Sequence, residues 1–525
     1  MMTRISWDLF FLFRRNRFPF WFFKLFLSGC SDLRENALLP SSRFLFSQFC
    51  FRVSFFSAMT STASYREVLH VVIPLVLSNM AFTVMQFTDR VLLARHSSEA
   101  IQAALPAGIV AFTLVAFFAS IAAYSGTFVA QYYGAKDDNA CRRACAAGIH
   151  LSILFIPVYL LLLPLSYWLL DIAGHPQALQ TLERPYAFWN IVGGPFLATQ
   201  WVLGGYLSGT GRATVCSIVS VVGCGLNILL DVLFIFGPAG CPSLGIPGTF
   251  AAVLRIPEMG VEGAAIATML SCIFSCILCA FFVALAPQNR NAPLRDWLVP
   301  DFSLIARIVR FGLPTGIQMF FDCGAFAVFV LLTGRLDALS LAASNIVLSI
   351  NNLAFSILNG LSNAAAILTG QYQGARRPEL ARSAGYRCLH LGWIYMTIIA
   401  AIFIGFTREL LEIFQSPGAP YTVDELYHLG RTLICCIIVW GFFDTMNIVL
   451  IGALKGAGDT LFIMLALCLG SWLLWIPSEM LCLNVWNGGI VDAWIVQTVY
   501  IILLSFVFLY RWHRGKWQEI RVIDP

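Results

Sequence analysis

Four acids in this sequence stand where carboxylates are rare. Asp89, Asp231, Asp322 and Asp444 each lie well inside a long apolar stretch. A charge at the centre of a membrane helix costs about 2.5–3.5 kcal/mol on insertion scales, so each asks for a reason. Each has an amide three or four residues away: Gln86, Asn227, Gln318 and Asn447. On a helix that spacing puts acid and amide on one face. The amide can donate to the carboxylate or offer its oxygen to a shared cation, and Na⁺ or a proton takes such oxygen ligands. The other reading is that each acid meets a local donor and holds helices together. Four of them in so charge-poor a chain favour ion chemistry. Arg90 follows Asp89 directly but points about 100° away around the helix, so it need not neutralise that acid. Asn352, Asn359 and Asn363 form a polar stripe at i, i+7 and i+11, which suits either a cavity lining or hydrogen bonds between helices.

These residues need helices in lipid to position them. The chain has 525 residues, 59% apolar and only 12% charged, with mean hydropathy +0.78. A soluble domain carries about 25% charged residues. Such a chain is an all-α integral membrane protein, whose helices satisfy their own backbone groups. The +5 net charge has no basic run interleaved with aromatics, which excludes nucleic acid as a partner. The cysteines have no His partners at zinc spacing, and Cys272, Cys276 and Cys279, on one helical face, read as small apolar packing. No P-loop is present, so transport driven by ATP is excluded. His150 and His390 lie near helix ends, away from the mid-membrane acids, so nothing marks an enzyme. No cofactor is expected beyond a coupling ion.

Apolar stretches long enough to cross about 30 Å of hydrocarbon recur near 67–94, 101–131, 144–170, 185–208, 213–237, 261–286, 303–333, 340–370, 384–407, 426–452, 460–483 and 489–510. Sixteen Lys and Arg of the short loops and tail then fall on one side and five on the other. The positive side is cytoplasmic, which puts both ends of the chain inside and the 238–259 loop outside.

The sequence also repeats itself. A shift of 240 positions carries Pro74 onto Pro314, Arg95 onto Arg335 and Gln131-Tyr-Tyr-Gly-Ala135 onto Gln371-Tyr-Gln-Gly-Ala375. Later, Gly205-x-Leu-x-Gly209-x-Gly211 returns as Gly452-x-Leu-x-Gly456-x-Gly458. The Gln-x-x-Gly-Ala segments read as helix ends with Gly as terminator, and the Gly-rich segments as tight cytoplasmic turns. Twelve transmembrane helices thus form two six-helix bundles related by an internal repeat, with a substrate site near mid-membrane. The expected organisation is an N-terminal extension over 1–58, an N-lobe over 59–286, a cytoplasmic linker over 287–302, a C-lobe over 303–510 and a tail over 511–525. The extension matches neither the repeat nor a competent span, and Met59 is the expected natural start.

The chain resembles the multidrug and toxic compound extrusion (MATE) family. The resemblance is carried by Phe-Thr-Asp89-Arg-Val-Leu-Leu-Ala, the duplicated Gln-x-x-Gly-Ala and Asn227-Ile-Leu-Leu-Asp231. It continues through Gly260-Val-Glu-Gly-Ala-Ala-Ile-Ala-Thr268 and Asp444-x-x-Asn447, and covers about residues 65–510. It implies a V of two lobes that exports drugs or metabolites, driven by entry of Na⁺ or H⁺. It places an N-lobe cation cluster, with Na⁺ as the possible metal, on Asp89, Asn227, Asp231 and Thr268. Asp322 and Asp444, with Gln318 and Asn447, become C-lobe coupling or substrate residues. Family members commonly carry Glu where Asp322 stands, and a shorter loop than 238–259. The expected protein is a monomeric antiporter of the bacterial inner (cell) membrane, whose partners are a small organic substrate, cationic or amphipathic, and the lipid bilayer. A lipid-linked oligosaccharide flippase of the same superfold is the alternative. It would need intramembrane basic residues for a diphosphate, and Arg90 stands alone in that role.

Overall fold

Each expected span is helical in the computed structural model, which describes all residues except 1–62, 242–244, 246–247, 290–292, 294, 335, 413–420 and 524–525. The N-terminal half holds α1 (Tyr65–His96), α2 (Ser98–Gly134), α3 (Asp138–Leu154 with Ile156–Ile172), α4 (Gln177–Val192 with Gly194–Gly209), α5 (Ala213–Phe236) and α6 (Gly260–Ala284). The C-terminal half holds α7 (Phe302–Thr333), α8 (Ala338–Gly374), α9 (Pro378–Gly405), α10 (Val423–Ala457), α11 (Thr460–Val485) and α12 (Ile490–Arg514). Ten of these are long and apolar enough to cross a membrane unaided. The α3 pair, bent by 41° at Phe155 ahead of Pro157, makes an eleventh. The twelfth, α4, is divided at Gly193 just before Pro195, and a proline is well placed in the first turn of the second segment. The expected 1–58 extension lies outside the described residues. The tail begins later than the expected 511, because α12 continues to Arg514 and ends on Gly515 in the left-handed region.

Residues 61–525 form one unit, and the repeat governs how its halves meet. Helix α1 packs on α8, and its counterpart α7 packs on α2. Gly360 lies on the Val76 backbone, where a Cβ would approach the Val76 Cα to 2.6 Å. Gly316, the counterpart of Val76, lies on the Phe117 carbonyl of α2, where a Cβ would come within 2.8 Å of the oxygen.

The tail folds back onto the side that carries the basic loops. Trp517 is fully buried and stacks on Trp512 with centroids 4.2 Å apart and planes 5° apart. Arg307 of α7 donates to the Val522 carbonyl, and Gln373 of α8 donates to the Gln518 carbonyl at 3.0 Å. On the opposite side, His96 at the end of α1 meets Glu258 of the 238–259 segment at 2.9 Å.

Candidate functional site

Helices α1 and α5 bring the two N-lobe acids together across 142 residues of sequence. Asn227 and Asp231 sit one turn apart on α5 and are fully buried. Asn227 faces both carboxyls: with its amide nitrogen toward them it donates to Asp89 Oδ1 at 2.9 Å and to Asp231 Oδ2 at 3.2 Å. The two carboxyls thus share one amide group, side by side in the same cluster. Asp231 Oδ1 is buried with no hydrogen-bond partner. Three expected site residues therefore converge, and the fourth does not join them by hydrogen bond. The Thr268 hydroxyl donates at 3.0 Å to the Ala264 carbonyl of its own helix.

The local partner expected for Asp89 is corrected here. Gln86, three residues from Asp89, makes no hydrogen bond to it among the described residues, because Asn227 of the neighbouring helix takes that place. Arg90 is exposed and forms no salt bridge with either acid among the described residues. Sequence reasoning missed Tyr186 of α4, whose half-buried phenol lies within electrostatic reach of both acids. Its signal would have needed the contact between helices, not a spacing along one.

In the C-lobe the local pairs form as the spacing predicts. Gln318 Nε2 donates to Asp322 Oδ2 at 3.1 Å, and Asn447 Nδ2 lies 3.5 Å from Asp444 Oδ1. Asn447 also donates to the Ile501 carbonyl of α12 at 3.3 Å. Tyr500 of α12 stands within electrostatic reach of both acids, which the sequence did not single out. On α8, the stripe of Asn352, Asn359 and Asn363 shares its face with Ser356. The Ser356 hydroxyl meets Thr83 of α1 at 2.9 Å, so that face looks toward the N-lobe.

The MatE family model matches residues 74–233 and 314–481, two segments that begin at the repeat-related prolines. The chain belongs to the MatE family. It is a multi-pass membrane transporter. It is similar to a probable multidrug resistance protein NorM of Pseudomonas putida, at 29% identity over 438 residues, covering 82% of this chain and 90% of that protein. It is also similar to the multidrug resistance protein PmpM of Pseudomonas aeruginosa, at 26% identity over 79% of this chain and 83% of that one. Among solved structures, a MOP superfamily transporter from Pyrococcus furiosus shares the fold with TM-score 0.74 at 18% identity, covering 88% of this chain and all of that one. An outward-facing MATE family transporter also matches with TM-score 0.74, at 20% identity over the same share of this chain.

In this MatE protein the duplicated motifs do more than end helices. Gln131 of α2 donates to the Gly456 carbonyl of α10 at 3.0 Å, and Gln371 of α8 donates to the Gly209 carbonyl of α4 at 2.9 Å. Each Gln-x-x-Gly-Ala motif thus reaches into the Gly-rich motif of the opposite lobe. Gly134 and Gly374 are not the left-handed terminators expected; Lys136 and Arg376 hold positive φ instead, at 62° and 55°. The glycines are there because a Cβ on Gly134 would overlap the Gln371 carbonyl, and one on Gly374 the Gln131 carbonyl. The expected turns at 205–211 and 452–458 are likewise mostly helix, with positive φ only at Gly211 and Gly458. Further cross-lobe bonds join Tyr124 to the Lys455 carbonyl at 3.0 Å and Tyr372 to Glu67 at 2.7 Å. These bonds lie toward the helix ends that carry the basic loops, and Thr83–Ser356 lies about half-way along α1. Asp89 lies beyond them, toward the opposite end of α1.

Proposed function

We propose that this MatE protein is a secondary antiporter of the cell membrane, the inner membrane in a bacterial cell. As a monomer it exports small organic compounds, cationic or amphipathic, in exchange for Na⁺ or H⁺. The Asp89–Asn227–Asp231 cluster, with one buried carboxylate oxygen left without a partner, carries this reading. Two carboxyls held together in a low dielectric cannot both ionise unless a cation lies between them. A proton shared by the pair and a Na⁺ held by it are therefore exchangeable states. The names of the curated relatives support drug export, and aromatic rings near the C-lobe acids suit cationic substrates. Phe321 packs edge-on to Trp472 at 5.8 Å, one residue from Asp322.

Coupling requires that ion and substrate prefer different lobe arrangements, since equal affinity for both shifts nothing. The cytoplasmic seal sets the scale. Its side-chain hydrogen bonds contribute about 0.5–1.5 kcal/mol each. One charge crossing a 100 mV potential yields about 2.3 kcal/mol. Entry of one ion thus matches the weaker end of what the four cross-lobe bonds contribute together, about 2–6 kcal/mol.

The test is uphill efflux from vesicles under an imposed Na⁺ or H⁺ gradient, each alone, for wild type, Asp89→Asn and Asp231→Asn. Both variants should lose gradient-driven efflux and still bind substrate. Wild-type efflux in both would move coupling elsewhere.

A further inference from the structure

A fifth intramembrane acid takes no part in the arrangement above. Glu479 lies on α11, in a short α-helical segment (Ile476–Met480) held between two π-helical stretches, Gly470–Trp475 and Leu481–Val485. Wide turns of this kind are frequent at functional sites. The Glu479 side chain is fully buried, and neither carboxylate oxygen has a hydrogen-bond partner. Two more orphaned polar atoms come with it. The Trp475 indole nitrogen, one turn earlier on α11, and Gln497 Oε1 on α12 are both buried and unpartnered.

The register of the helices locates this group. Trp472 donates to the Phe321 carbonyl at 3.3 Å, so that level of α11 lies beside Asp322 on α7. Glu479 is seven residues further along α11, about 10 Å toward the outer end. Between the two levels, Trp475 stacks on Tyr500 with centroids 5.5 Å apart and planes 7° apart. Tyr500 stands within electrostatic reach of Asp322 and Asp444. Gly470 against Tyr500 and Gly488 against Cys482 set α11 and α12 antiparallel, which brings Gln497 to the level just inside Glu479. Among the described residues, the titratable groups linked to it are Cys482 on its own helix, within electrostatic reach of both Glu479 and Asp492, and Tyr500 of α12, one stacked ring away through Trp475; none of these is basic.

Buried polar atoms are nearly always partnered, and an ionised carboxylate without donor or cation is the least tolerable exception. The same carboxyl holding a proton carries no charge. We propose that Glu479, flanked by Trp475 and Gln497, is a proton-binding site in the outer half of the C-lobe, an external station for Asp322 and Asp444. One carboxylate oxygen takes a proton from hydronium at the outer side and leaves water behind. The proton returns the same way or passes to an ionised Asp322 or Asp444, and Glu479 is then the anion until refilled. Proton binding at Glu479 stands independently of the N-lobe cluster; its use in coupling rests on the antiport reading.

Infrared difference titration of the full-length protein in nanodiscs tests this. Wild type should show a pH-dependent band of a protonated carboxyl without hydrogen-bond partners. Glu479→Gln, which keeps size and polarity, should lose that band, and Asp89→Asn should keep it. Glu479→Asp should move the band, which covers the case in which the amide variant fails to fold. The pH profile of efflux should change in Glu479→Gln and recover in part in Glu479→Asp. A Glu479→Gln spectrum identical to wild type overturns proton binding at Glu479, and an unchanged pH profile overturns its role as a station for Asp322 and Asp444. Unimpaired efflux in Asp89→Asn and Asp231→Asn would instead overturn the N-lobe reading, and proton binding at Glu479 would still stand or fall with its own band.

Discussion

Gln131 and Gln371 occupy the same place in the two repeats and donate to carbonyls that also occupy the same place, those of Gly456 and Gly209. The lobes are therefore joined, at the end that carries the basic loops, by a pair of exchanged bonds, which form the proposed inner seal. Replacing either glutamine by alanine should weaken the closed inner side by about 0.5–1.5 kcal/mol, and more where the carbonyl stays dry and unpaired. Spin-label distances between the inner ends of α2 and α8 would show a larger separated fraction in Gln131→Ala, and larger again in the double variant. Unchanged distance distributions would mean the bonds do not hold the seal.

Gly134 and Gly374 should tolerate no side chain. In Gly134→Ala the new Cβ meets a backbone carbonyl that cannot turn away, so the lobes should fail to close inside and transport should fall. Gly225, in the middle of α5 with open space around its Cβ position, is the control. Gly225→Ala should transport normally and gain about 0.5–1 kcal/mol of stability. Thermal unfolding in detergent, with efflux measured in parallel, separates the two outcomes. Equal tolerance at both positions would refute the close-approach argument.

Trp517 anchors the tail. Trp517→Ala removes a fully buried ring from its stack on Trp512 and should cost about 3–5 kcal/mol, the range for deleting a buried aromatic side chain. Proteolysis of the tail in the folded protein should rise accordingly, and a resistant Trp517→Ala tail would show that Arg307 and Gln373 hold it unaided.

Asp301 caps α7 at its N-terminus. Its carboxylate accepts from the Ser303 hydroxyl at 2.7 Å and from the Leu304 N–H at 3.1 Å, and these bonds hold its pKa below the ordinary 3.8. A depressed folded-state pKa contributes stability above the unfolded value, and that stability is lost as pH falls through the folded one. The cap is thus intact at neutral pH and fails only in strong acid. Asp301→Ala should destabilise by about 1 kcal/mol at pH 7, and Asp301→Asn should lose much less. The melting shift of Asp301→Ala should shrink below pH 3.8. A shift independent of pH would exclude the charge as its source.

What the sequence made legible was what one helix contains. Length and apolar content marked the spans, and i, i+4 spacing found the Gln318–Asp322 pair, which forms within α7. Relations between helices were hidden. Gln86 looked like the partner of Asp89 because it is near in sequence, yet Asn227 on α5 takes the place because α1 and α5 pack together. The duplicated glycines read as terminators, since spacing does not reveal that another backbone passes over them. Glu479 went unnoticed because no amide lies three or four residues away, and Gln497 reaches its level only through the packing of α11 on α12.

The exchanged glutamine contacts have an evolutionary consequence. In an isologous dimer, a residue on one copy meets a second residue on its partner, and the reverse contact follows by symmetry. Gln131 to Gly456 and Gln371 to Gly209 have that form, within a single chain. They are what two copies of an ancestral six-helix protein would have formed before gene fusion. Two halves expressed as separate polypeptides, divided within 287–302, would carry both members of each contact pair and should associate through them.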